Sequence, residues 1–158
     1  MNTTRLLATL ALLTAATAAQ AQTATQTVTF QVDAINQIAF TGSPSLVINS
    51  ATAGSAPASA TASGSWAITT NQSNAKITAS INSAMPSGVT LTANLAAPAG
   101  ASSAGATTLG TTAVDVVTSL TQVAEGSLNV TYGLSATAAA GVVASQSRTV
   151  TYTITGGT

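Results

Sequence analysis

Acid–base chemistry in this chain would have to come from three carboxylates, Asp33, Asp115 and Glu125, set against three cations, Arg5, Lys76 and Arg148. There is no histidine and no cysteine. A pair of carboxylates can hydrolyse a glycosidic bond, but these three are far apart in sequence and each has a simpler place. Asp33 falls where a first strand ends, Glu125 precedes Gly126 in a turn, and Asp115 suits a charge guarding a strand edge. A serine nucleophile needs a base, and without histidine the usual triad cannot be built. Ser73 and Lys76 have serine-x-x-lysine spacing, yet no helix pattern or partner motif accompanies them, and Lys76 reads as a solvated turn residue. Calcium is the metal these oxygens would suit, and no clustered Asp/Asn loop is present. The sequence therefore offers no catalytic residue, no cofactor-binding residue and no metal ligand, and points to a protein that is not an enzyme.

The elements that would position any site follow an export signal. Arg5 supplies a positive start, Leu6 to Leu13 a short apolar run, and Ala19-Gln20-Ala21 a small-x-small cleavage site before Gln22. The apolar run is too short for a transmembrane helix. The expectation is a signal peptide over 1–21 and one domain over 22–158. Its destination is extracellular, the cell surface or the periplasm. After cleavage no integral membrane segment remains. Lys76 and Arg148 then face three acids, so no basic patch exists for nucleic acid or an anionic membrane. With no cysteine, an exported domain must hold together by packing and ladder hydrogen bonds. A near-zero net charge gives little colloidal repulsion, which suits a subunit that packs against copies of itself.

Period-2 alternation recurs along 22–158, the mark of half-buried strands. It covers Val28-Phe30-Val32, Trp66-Ile68, Ile77-Ala79-Ile81, Val89 to Leu95, Leu128 to Leu134, and Val150-Tyr152-Ile154, with a further short run at Ser45 to Ile48. Met85-Pro86-Ser87-Gly88 reads as a β-turn. Residues 50–64 are Ala/Ser/Gly-rich and expected as a long mobile loop. The small residues of 97–105 read as a second loop, and Gly141 interrupts the alanine-dense stretch 136–144, also read as loop. About 7–8 short strands without an amphipathic helix predict an all-β fold, an immunoglobulin-like antiparallel β-sandwich.

Two groups of residues invite a binding role. Trp66 and Tyr132 are aromatic and could stack on a sugar; Trp66 shares its face with Ile68, which favours the core. Threonines alternate at 27–29, 90–92 and 149–155, as in arrays that meet ice or carbohydrate, but without a fixed repeat. An exposed strand face explains them more simply. The ends of 22–158 are the other candidate. Val28, Phe30 and Val32 form an alternating strand right after a short polar leader. Its plainest placement is the first strand of its own sheet; the alternative is pairing with a neighbour's sheet edge.

From Gly64-Ser65-Trp66 through Thr153-Ile154-Thr155 the chain resembles uncharacterised secreted bacterial Ala/Thr-rich β-sandwich surface proteins. Trp66-x-Ile68 is loosely similar to the motif of surface domains named for Trp-x-Leu, but departs from it by the isoleucine, so cell-wall binding is not implied. In architecture and neutral, Thr-rich texture the chain is also similar to pilin-like and fimbrial subunits, many of which have a cysteine pair that is missing here. Together these features lead to the expectation of a secreted structural or adhesive bacterial surface protein, a self-associating pilus- or filament-like subunit whose partner is itself. An extracellular carbohydrate-binding module, with surface glycans as partner, is the second reading.

Overall fold

The computed structural model describes residues 21–157. All regular structure lies within 33–157. Residues 21–32, taken by themselves, have no regular secondary structure, and every one of them is exposed. The expected signal segment lies outside the described residues except for Ala21.

Among the described residues nine strands form two antiparallel sheets: β1 (Asn36–Thr41), β2 (Ala60–Thr70), β3 (Ala75–Ile81), β4 (Val89–Leu95), β5 (Ser102–Ser103), β6 (Thr107–Thr108), β7 (Val114–Leu120), β8 (Val123–Ala136) and β9 (Val150–Gly156). One sheet has the order β1-β2-β8-β4-β6, the other β5-β7-β3-β9. The chain passes between sheets through short links, Asn71 to Asn74 after β2 and Thr121-Gln122 after β7. These two links are tied together, since Gln122 N donates to Gln72 O at 2.9 Å and Asn74 N to Thr121 Oγ1 at 3.1 Å. Asn74 takes a left-handed φ of 56°, a conformation asparagine tolerates better than most residues.

Alternation works as expected where one sheet face is buried. On β3 the residues Ala75, Ile77, Ala79 and Ile81 are buried, with Lys76, Thr78 and Ser80 between them. Trp66, Ile68, Leu91, Leu95, Val116, Leu120, Leu128 and Val130 join them from both sheets in one core. The all-β expectation therefore holds.

Several boundaries differ from the sequence reading. Residues 27–32 form no strand despite their alternation, and β1 lies further on, at Asn36–Thr41. Ser45 to Ile48 is not a strand. The loop expected over 50–64 ends at Ser59, because β2 already begins at Ala60 and finds a partner in β8. Within it, Ala51 bridges Pro57. The 97–105 loop contains the two-residue β5, and 136–144 contains a 3₁₀ turn at Ala138–Ala140. The Pro86–Gly88 turn is present, with Val89 N donating to Pro86 O at 3.0 Å and Gly88 at a φ of 76°.

Gly64 marks a close approach between strands. A Cβ built there would stand 2.8 Å from the main-chain oxygen of Thr41 on β1. Backbone cannot swing aside as a flexible side chain would. Gly64→Ala is expected to destabilise the domain by about 1–3 kcal/mol through this overpacking, read as a lower urea midpoint with an unchanged slope.

Candidate functional site

Of the residues that could do acid–base chemistry, the structure brings together one oppositely charged pair. Asp115 lies on β7 and pairs with Lys76 on β3, Nζ to Oδ1 2.9 Å, both side chains nearly half exposed. Lys76 is thus a strand residue with its charge answered, not a turn residue. Glu125 is not in a turn either; it is part of β8, where its Oε2 accepts from Ala99 N at 2.9 Å. Asp33 precedes β1, on the stretch that leads from 21–32 into the domain. Among the described residues no group of three potential metal ligands is present.

The two rings considered for sugar stacking are both inside. Trp66 is 1% exposed and Tyr132 8%. Trp66 points inward because it alternates with Ser65 and Ala67 on a strand whose inner face meets the other sheet. Neither ring offers a face to a ligand, so this expectation is corrected. Two open hollows lie on the domain, of about 300 and about 180 Å³, and neither is lined by an aromatic ring or a charged side chain.

What the structure assembles instead is an incomplete seam. β1 and β9 are end strands, each hydrogen-bonded to a single neighbour, β2 and β3 respectively. They lie close across the two sheets: the rings of Phe40 on β1 and Tyr152 on β9 stack at 4.0 Å and 15°. Phe40 also stacks on Trp66, at 6.0 Å and 14°. No ladder joins β1 to β9. The inward residues on this side, Ile38, Phe40, Val150, Tyr152 and Ile154, are only partly buried, although they pack on the core. The inward residues of β3 and β4 are almost fully covered. The sandwich-like core is therefore closed along β3 and β4 and thinly covered along β1 and β9.

Tyr152 sits in this seam with its hydroxyl 2.9 Å from that of Tyr132. Burial pushes the Tyr152 hydroxyl well above the usual tyrosine value of 10.0, and the hydrogen bond and charge of Tyr132 push the same way. The folded state thus keeps a proton that the unfolded chain releases near pH 10. The contribution is whole below that pH and is lost as the pH rises above it. Thermal melts should therefore show a midpoint that falls beyond about pH 10, and falls less steeply in Tyr152→Phe.

A second feature is the set of large apolar side chains left in water. Val28, Phe30 and Val32 are 74%, 88% and 78% exposed. They alternate with Thr29 and Gln31, so in an extended segment they would share one face. The segment is legible in the sequence as an alternating run, whereas the seam emerges only from strand order.

No protein-family model matches the chain, and neither any curated protein nor any solved structure is detectably similar to it.

Proposed function

We propose that this is a self-associating structural subunit of the bacterial surface, joined to its copies when Val28, Phe30 and Val32 of one chain pair along β9 of the next. The observation that carries the reading is the match between an unpaired seam lined by partly buried Val150, Tyr152 and Ile154 and an alternating, exposed apolar segment on the same chain. The three inward positions on β9 and the three apolar residues of the segment share the same spacing of two. The strand order supports it. In an immunoglobulin-like reading β1, β2, β8 and β4 take the places of A, B, E and D, and β3 and β9 those of C and F; β5, β6 and β7 are then insertions between D and E, with β7 pairing with β3, and among the described residues no G strand stands beside F. β9 is the edge where that strand would pair.

The stability of such a contact comes from main-chain hydrogen bonds to an open edge and from burying three apolar side chains, each worth about 1.5–3 kcal/mol when fully covered. Little charge has to be desolvated, because the segment and β9 carry none. In this reading the chain is exported and acts at the cell surface. The test is the state of assembly of residues 22–158, purified and concentrated. Sedimentation should show growth beyond the monomer and electron microscopy should show filaments. A chain that stays monomeric at high concentration overturns the proposal, and binding on a glycan array would then favour the carbohydrate-binding reading.

A further inference from the structure

Resting on that reading, the structure says more about where successive domains meet. Chain connectivity allows no slack between the pairing segment and its own domain. Val32 is followed directly by Asp33, and Asp33 to Ile35 is clamped by Asn71. The Asn71 side chain donates from Nδ2 to Asp33 O at 2.8 Å and accepts at Oδ1 from Ile35 N at 2.8 Å. Its own N–H donates to Ile35 O at 3.2 Å. Gln72 Nε2 also donates to Asn71 Oδ1, at 2.8 Å, and steadies the clamp. Asn71 lies in the β2–β3 link, at the end of the domain where β9 finishes and β8 starts. The opposite end carries the β8–β9 connection, residues 137–149.

A donated segment can run along β9 in two directions. Parallel to β9, its Val32 would lie beside Gly156, and two Asn71 ends would meet. Antiparallel, its Val32 lies beside Val150, and the Asn71 end of the donor meets the β8–β9 loop of the acceptor. Antiparallel pairing is the more stable ladder per residue. It also joins unlike ends, the condition for open head-to-tail growth.

The unlike ends are complementary. Beside Asn71 lies the larger hollow, open and lined in part by Ile35, Val123 and Ala124. On the β8–β9 loop, Val142 is wholly exposed and Val143 is 40% exposed. Neither valine has an evident role in its own domain. We propose that in the assembled protein Val142 of the acceptor seats in the hollow beside Asn71 of the donor, so that the clamped root and this contact set a fixed angle between successive domains.

Because the chain has no cysteine, introduced thiols report this contact cleanly. The probe is the Ala124→Cys, Val142→Cys double variant of residues 22–158, treated with a short thiol-to-thiol cross-linker after assembly. Both positions are exposed, so folding is spared. A covalent ladder of many subunits is expected on a denaturing gel, with each single variant stopping at dimer or below. Val142→Asp should raise the concentration needed for assembly about tenfold, the equivalent of losing one buried valine. Filaments that form without a ladder, and that Val142→Asp leaves unchanged, overturn the domain contact and leave strand pairing standing. Absence of filaments from the unsubstituted chain overturns the strand-pairing reading and this contact with it.

Discussion

Phe30→Asp should leave the domain at its unsubstituted melting temperature and abolish assembly. The side chain is 88% exposed and no strand includes it, so its removal takes nothing from the core of 33–157. In a neighbour's seam the same ring would lie against Tyr152 and its partners. Losing its burial costs about 1.5–3 kcal/mol, and placing a carboxylate in that apolar setting costs more. Together these lower the apparent affinity by well over about 100-fold. Thr29→Asp is the control. Thr29 is one residue away, and in an extended segment it faces the other side. Its substitution adds the same charge at the outer surface and should weaken assembly far less. Sedimentation velocity measures association and a thermal melt measures the fold. Equal effects of the two substitutions would show that charge, and not a face of the strand, is what matters.

That contrast bears on how much of the molecule was legible in its sequence. Alternation located β3, β4 and β9 and about half of β2 and of β8, because each buries one face and its inward residues recur by two. β7 was harder. Val116 and Val117 are adjacent and both fully buried, and the β3–β7 register shifts around Ile77, so the period breaks where the strand is irregular. β8 hides a similar irregularity: its register with β2 shifts between Trp66 and Ile68, and Ser127 takes a φ of 58°. Residues 27–32 are the instructive case. Their alternation is as clean as that of β3, yet they join no sheet in their own chain. Alternation reports what a segment would bury as a strand; it is silent on which chain supplies the partner.

The candidate site divides in the same way. The scarcity of titrating groups is a property of composition and is read at once. So are three apolar residues spaced by two near Gln22. The seam is not, because its open side is set by β1 and β9 becoming end strands of different sheets while their rings still meet. That is a consequence of strand order, which depends on ladder pairings between residues far apart in sequence, such as Ala60 with Leu134 and Ala75 with Gly156. The polar outer faces follow from the same economy. Thr78 and Thr153 stand opposite each other on β3 and β9, and Thr131 opposite Ser63 and Asn94 on β8, β2 and β4. Hydroxyls and amides keep these faces hydrated without charge, which leaves little to repel a second copy.

Trp66 carries the largest expected effect on the fold itself. It is 1% exposed, alternates inward with Ile68, and lies against Phe40, so it links the core to the seam. Trp66→Ala removes the only tryptophan from a chain without disulfides. The loss is about 3–5 kcal/mol, a large part of the roughly 5–15 kcal/mol that holds a domain of this size. The melting temperature should fall by about 10–20 °C. Trp66→Phe should cost much less. It keeps a ring to stack on Phe40 and deletes Nε1, a buried donor with no hydrogen-bond partner, so part of the lost packing is offset. The two substitutions also separate core from contact. Trp66→Phe should assemble almost as the unsubstituted chain does, since Val150, Tyr152 and Ile154 still line β9. Trp66→Ala should lose assembly along with its melting temperature, because the ring behind Phe40 is gone and the seam has nothing firm to close on. Phe30→Asp breaks association with the fold intact; Trp66→Ala breaks the fold and association follows. A Trp66→Ala variant that melts normally would mean that the ring is not the packing anchor its burial makes it.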